Sequence, residues 1–259
     1  MILVAGTYYY ISKKSSFNNS DTIIQVEQPQ DSAITTPQQP LIANEQIQQT
    51  EETSALDAEL TPPLPPLNDS DPIALEAIEQ LSPSAMDTSL LIPQEMIRNF
   101  VVFIDNLSKG DIVSYFAPVV RPKQSFSVTR SAQKIYLNTK SYQRYDVYAD
   151  LIDSIDISTA LTQYRSLKPL IDEAYQEIGY SDKGFLNKLN QSIDLIVDTP
   201  IINYPIELID PSVMYKFADP QLEGLNDLQK LLIRMGPNNT FKIQKKLKQL
   251  QQSLQTELP

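Results

Sequence analysis

Residues 210–254 read DPSVMYKFADPQLEGLNDLQKLLIRMGPNNTFKIQKKLKQLQQSL, and their helix punctuation decides the fold class. Asp210-Pro211 and Asp219-Pro220 each place an aspartate before a proline, the pattern of an N-cap followed by a first helical residue. The spacing predicts a short helix from Asp210 to about Phe217. A longer one runs from Asp219 through Leu225, Leu228, Leu231, Leu232 and Met235. Gly236 ends it as a helix stop, and Pro237 starts the last helix. There Ile243, Leu247, Leu250 and Leu254 form one narrow seam. So short a seam predicts packing on the body of the domain rather than a coiled coil.

Working outward, Asp71-Pro72 repeats the start signal, with Asp71 as N-cap of a short helix to Leu81. After Pro93, QEMIRNFVVFIDNL carries Met96, Ile97, Phe100, Val101, Phe103, Ile104 and Leu107, a stripe wide enough for a central helix. Arg98, Asp105 and Asn106 are its polar residues, and they need partners if drawn inside. A short helix is expected near Asp111–Phe116. Residues 126–130 and 133–137 alternate apolar and polar across a turn at Ser131-Ala132, which reads as a β-hairpin. Helices follow over 139–155, 157–178 and 182–197. Pro169 should kink or split the second, and Gly179 lies just past its end. Residues 201–209, interrupted by Pro205, read as a linker or edge segment.

The N-terminal quarter differs. MILVAGTYYYI, residues 1–11, is uncharged and about half the length of a membrane-spanning helix, with tyrosines at the boundary. It reads as a partial transmembrane anchor. Residues 12–67 are rich in Gln, Ser, Thr and Pro without apolar period, the composition of a disordered tether. The expected fold is therefore mainly α: a compact multi-helix domain over 68–255 with one short β-hairpin, preceded by the linker and the truncated anchor. Lys13 and Lys14 alone favour a cytoplasmic body, whereas a basic segment upstream would place it in the periplasm; the expectation is single-pass placement in an inner membrane with the domain in the periplasm.

The chain of 259 residues has no Cys, His or Trp. That excludes imidazole bases, thiolate nucleophiles, disulfides and His- or Cys-held metals, and no cofactor is expected. A net charge of −11 argues against nucleic acid as a partner. Lys242, Lys245, Lys246 and Lys248 cluster, but as a solvated helix face. The carboxylates available for hydrolysis are Asp150, Asp153 and Asp156, and Asp172, Glu173 and Glu177. A glycosidase needs two carboxyls facing each other across a cleft, and spacing along one helix does not supply one.

The more distinctive group is Glu173, Tyr175, Tyr180, Tyr215, Asp219 and Arg234. Arg234 is expected to form a bidentate pair with Asp219 or Glu173, either tying helices together or lining a pocket that takes a peptide or glycan.

Asp69-x-Asp71-Pro72, IRNFVVFIDNL from Ile97, YQRYD from Tyr142, EAYQEIGY from Glu173, YKFADPQLE from Tyr215 and LLIRMGP from Leu231 occur in an order that resembles the bacterial domain of unknown function family 3014. The resemblance covers about residues 60–253. It implies a small envelope protein with an N-terminal membrane helix, a low-complexity linker and a helical domain, and it carries over no activity and no catalytic residue. The expectation is a non-catalytic, membrane-tethered interaction or scaffold module. Its partners would be the membrane, through the N-terminus, and an unidentified protein or envelope glycan. The alternative is a carboxylate-dependent hydrolase acting on envelope glycans.

Overall fold

A computed structural model describes residues 63–82, 87–181 and 184–257. Among them are nine α-helices and four short strands, the strands in two consecutive pairs set between runs of helices. The central helix is α2, Met96–Leu107, as its apolar stripe predicts: Val101 is fully buried, with Met96, Ile97, Ile104 and Leu107 beside it. Around it pack α1 (Asp71–Leu81), α5 (Ile157–Glu177), α6 (Phe185–Val197), α8 (Asp227–Met235) and α9 (Pro237–Glu257). Their contributions to one core include Ala74, Ile171, Tyr175, Phe185, Leu232 and Ile243.

The polar residues of α2 find partners. Arg98 makes a bidentate pair with Glu177 at 2.6 and 2.8 Å, joining α2 to the end of α5. Asp105 is buried and accepts from Lys109 at 2.6 Å, with the Lys188 Nζ 3.7 Å from its other oxygen. Asn106 donates to the Val102 carbonyl at 2.7 Å. Asp71 does not cap its own helix: its carboxylate accepts from the backbone N–H groups of Glu95 and Met96, at 2.9 and 2.8 Å, and so caps α2.

The expectation of a single hairpin is corrected. The β-structure is a four-stranded antiparallel sheet in the order β1-β2-β3-β4. β1 (Val128–Ser131) and β2 (Lys134–Leu137) form the hairpin, and its turn is Ala132-Gln133, both at positive φ. β3 (Glu207–Ile209) lies where a linker was expected, and β4 (Lys216–Phe217) where a short helix was. The physical reason is visible at Val213 and Met214, which are exposed: the stretch after Asp210-Pro211 has no apolar face to bury as a helix. Instead Lys216 points out and Phe217 in, a strand's alternation. Ile135, Leu137, Leu208 and Phe217 line the inner face of the sheet and pack with Leu222 and Ile233 as a second core. Leu161, Ile193 and Leu254 form a third, where α5, α6 and α9 meet.

Other expectations shift in detail. Residues 111–116 form turns rather than a helix. The helix over 139–155 divides into α3 (Lys140–Gln143) and α4 (Asp146–Ser154), with the break at Arg144-Tyr145. The helix after Asp219 divides into α7 (Pro220–Glu223) and α8, because the Asn226 side chain caps α8 by accepting from Gln229 N–H at 2.9 Å. Pro169 leaves α5 unsplit.

Residues 1–62, which carry the expected anchor and most of the linker, lie outside the described residues. The expectations of a transmembrane helix, of single-pass inner-membrane placement with a periplasmic domain, and of the membrane as a partner through the N-terminus are corrected. Among the described residues no helix is long and apolar enough to cross a membrane.

Candidate functional site

The corner between α8 and α9 positions the site. Gly236 sits there at φ 89° and ψ 162°, backbone that in practice only glycine adopts. A Cβ on it would meet the Tyr142 ring at 2.4 Å. Asn239 locks the corner, its amide nitrogen lying 3.1 Å from the Tyr142 carbonyl, 2.9 Å from Asp146 Oδ1 and 3.0 Å from the Met235 carbonyl. Thr240 donates to the Leu232 carbonyl at 2.7 Å. The string LLIRMGPNN is therefore a joint that presses α3 against α8 and leaves Arg234 facing the sheet.

Leu232 and Met235 bury into the helical core and Ile233 into the sheet core. Arg234, between them, is half-buried with its guanidinium carbon 4.6 Å from the centre of the Phe217 ring. Its hydrogen bond is a long one, 3.4 Å from Nη2 to the Tyr215 carbonyl. Burial pushes its pKa below the ordinary arginine value. The charges of Glu223, Tyr145 and Asp227 act in the opposite direction without forming a pair. Among the described residues Arg234 has no carboxylate partner.

A second arginine reaches the same aromatic group. Arg144, at the break between α3 and α4, lies 4.9 Å from the centre of the Tyr145 ring and 5.8 Å from that of Phe126. It donates to the Tyr145 hydroxyl at 2.8 Å, while its buried Nε–H has no acceptor. Phe126 packs on Tyr215 with ring centres 5.8 Å apart, so Arg144 and Arg234 flank one cluster of rings. Arg130, on the exposed strand β1, adds a third guanidinium, 3.4 Å from the Tyr215 hydroxyl and 3.5 Å from Asp210.

The six residues singled out in the sequence separate into different places. Arg234 and Tyr215 belong together. Asp219 does not pair with Arg234: it caps α7, accepting from Gln221 N–H at 2.8 Å. Glu173 is exposed on α5. Tyr175 stacks on Tyr180 at 4.7 Å and meets Phe185 edge-on, in and beside the helical core. The bidentate pair expected for Arg234 is thus absent among the described residues.

Phe126, Arg130 and Arg144 escaped sequence reasoning, although a signal was there. Between Asp111 and Asp146 the chain carries six basic residues, Arg121, Lys123, Arg130, Lys134, Lys140 and Arg144, and no Asp or Glu, in a protein with 32 acidic residues against 21 basic. Lys134 pairs with Glu207 at 2.7 Å and Arg130 approaches Asp210. The other four have no ion pair among the described residues. The lysines of α9 are differently placed: Lys242 pairs with Asp150, and Lys246 donates to the Ile155 carbonyl at 2.7 Å.

Four of the six candidate catalytic carboxylates, Asp150, Asp156, Asp172 and Glu177, are engaged as well. Asp156 caps α5, its pKa held down to about 2 by hydrogen bonds from Ser158 and Thr159. Asp172 pairs with Lys168. No group of three His, Cys, Asp or Glu among the described residues is placed to hold a metal ion.

Neither the curated proteins nor the solved structures contain a match to this chain. One family model does match it, over residues 96–251, from α2 through most of α9, so the site lies within the matched region; the chain belongs to the family described as "Protein of unknown function (DUF3014)".

Proposed function

We propose that the domain is a non-catalytic interaction module that binds an acidic protein partner through Arg144 and Arg234. The observation that carries this reading is the state of Arg234, a half-buried guanidinium that rests on a ring and a long hydrogen bond while the chain has carboxylates in excess. Burying a charge is costly unless it is paired. A structural arginine in an acid-rich protein would be expected to have recruited a carboxylate, as Arg98 recruits Glu177. An arginine left with free donors beside aromatic rings offers a bidentate seat for a carboxylate from outside.

The surroundings support an acidic ligand. The acid-free run from residue 112 to 145 supplies a local positive field in a negative molecule, which favours an acidic partner over a basic one. The hydrolase reading would require two of the candidate carboxyls to face each other across a cleft. Asp150, Asp156, Asp172 and Glu177 are instead engaged in ion pairs or a helix cap.

The test is a binding measurement with paired peptides, a short extended one rich in glutamate and its glutamine counterpart. The glutamate peptide should bind at least tenfold more tightly, and Arg234→Met should remove the preference. Equal affinity for both peptides would remove the basis of the reading.

A further inference from the structure

The orientation of the partner can be read from the sheet, on the premise that the acidic-partner reading holds. β1 is an edge strand, and three of its four residues are exposed. In an antiparallel pair, residues that exchange hydrogen bonds alternate with residues that do not. Asn138 N–H donates to the Ser127 carbonyl at 3.3 Å, whereas Leu137 N–H turns the other way, to the Ile206 carbonyl at 2.9 Å. The register pairs Val128 with Leu137 and Arg130 with Ile135. Both are therefore the non-bonded kind, and the N–H and C=O groups of Val128 and Arg130 point off the sheet. Among the described residues none of these four groups has a partner.

We infer that the acidic partner binds as an extended strand added to β1, its backbone bonded to Val128 and Arg130 and its alternate acidic side chains facing Arg130 and, beyond it, Arg144 and Arg234. Strand addition of this kind draws affinity from main-chain bonds and specificity from every second side chain. Arg130 shares the inner face of the sheet with Ile135, beside Tyr215, and Tyr215 packs on the Phe126 ring that Arg144 overlies. Side chains on that face of an added strand meet guanidinium groups. The other face carries an open hollow of about 410 Å³ lined by Thr129, Tyr136, Leu137, Asn138, Thr139 and Pro205, room for the intervening side chains.

Charge selects the occupant. Exposed edges are commonly guarded by basic residues against pairing with their own kind. A second copy of β1 paired in the symmetric register would bring Arg130 against Arg130, and the Asp210 carboxylate 3.5 Å from each offers only one negative charge per guanidinium. An acidic strand meets the opposite sign.

The experiment uses the full chain and a fluorescent acetylated peptide, Glu-Val-Glu-Thr-Glu-Val-Glu. Each peptide backbone nitrogen is methylated in turn, which removes one donor. Methylation at alternate positions should weaken binding tenfold or more while the positions between them tolerate it. Val128→Pro, which removes an outward N–H that the hairpin does not use, should cause a comparable loss, with β1–β2 amide resonances showing that the hairpin persists. If the glutamate peptide outcompetes its glutamine counterpart but is indifferent to methylation and to Val128→Pro, strand addition is overturned while the acidic-partner reading stands. If neither peptide binds at millimolar concentration, both fail. Tighter binding of a short oligothymidylate than of the peptide would also overturn the inference, making the patch a nucleic-acid surface.

Discussion

Arg234 rests on Phe217, guanidinium carbon to ring centre 4.6 Å, where a carboxylate would be the usual companion. A cation on a ring gains about 0.5–2 kcal/mol depending on its exposure, against the cost of taking the charge out of water. Replacing Arg234 with methionine keeps a long polarizable side chain on the ring and removes the charge. Arg234→Met should leave stability unchanged or raise it by about 1 kcal/mol, read as the midpoint of chemical denaturation. A loss of more than about 2 kcal/mol would mark Arg234 as a strut.

Gly236 should tolerate no side chain. Gly236→Ala forces a Cβ into the Tyr142 ring and an L-residue into a glycine conformation. The combined cost is about 2–5 kcal/mol, from backbone strain and overpacking. In a Tyr142→Ala background the same change should cost less, since only the backbone part remains. Equal cost in both backgrounds would show that the ring is not what confines this position.

Asp71→Ala removes the cap of a helix that begins 25 residues later in the chain. Losing such a cap typically costs about 1–2 kcal/mol. Hydrogen exchange should accelerate at the first turn of α2, at Met96 and Ile97. Faster exchange confined to the first turn of α1 would instead place the cap where the Asp71-Pro72 pattern suggested.

The domain's main helices were legible because they carry long stripes. α2 has enough apolar residues at helical spacing to be recognised as central, and α9 follows its seam from Ile243 to Leu254. β3 and β4 were not legible: three and two residues leave no period to detect, and only the pairing of Leu208 with Phe217 gives them a face. The Asp-Pro signals misled twice. Asp71 spends its carboxylate on another helix, and Asp210-Pro211 opens an exposed loop. At the site, Arg234 stood out by its setting in LLIRMGPNN, but its surroundings depend on rings brought in from Tyr215, Phe217 and Phe126. Asp219 was unavailable to it because that carboxylate caps its own helix.

The hairpin turn stores strain that can be relieved. Ala132 and Gln133 adopt φ of 46° and 65° without being glycine or asparagine, the conformation of a two-residue turn that favours Asn-Gly. The double change Ala132→Asn, Gln133→Gly should stabilise the domain by about 1 kcal/mol, seen as a higher thermal midpoint. A lower midpoint would mean that this turn is not of that type.

Asp156 sets an acid limb. Its pKa lies near 2 in the folded protein against an ordinary 3.8, first through the Ser158 hydroxyl and then through the Thr159 backbone and hydroxyl. The unfolded chain binds the proton more readily between those values, so this contribution is present above about 3.8 and is lost as pH falls toward 2. Asp156→Asn should flatten the dependence of stability on pH in that window. An unchanged slope would mean that Asp156 does not contribute to the acid dependence of stability.

Arg144 and Arg234 are proposed to hold a carboxylate supplied by a partner. The most direct measurement follows the arginine Nε–H resonances by NMR while the glutamate peptide is added to the full chain. The Nε–H signals of Arg144 and Arg234 should move together and saturate, and the glutamine peptide should leave them in place. Shifts confined to the α9 segment around Lys242, Lys245, Lys246 and Lys248, with both arginine signals still, would contradict it.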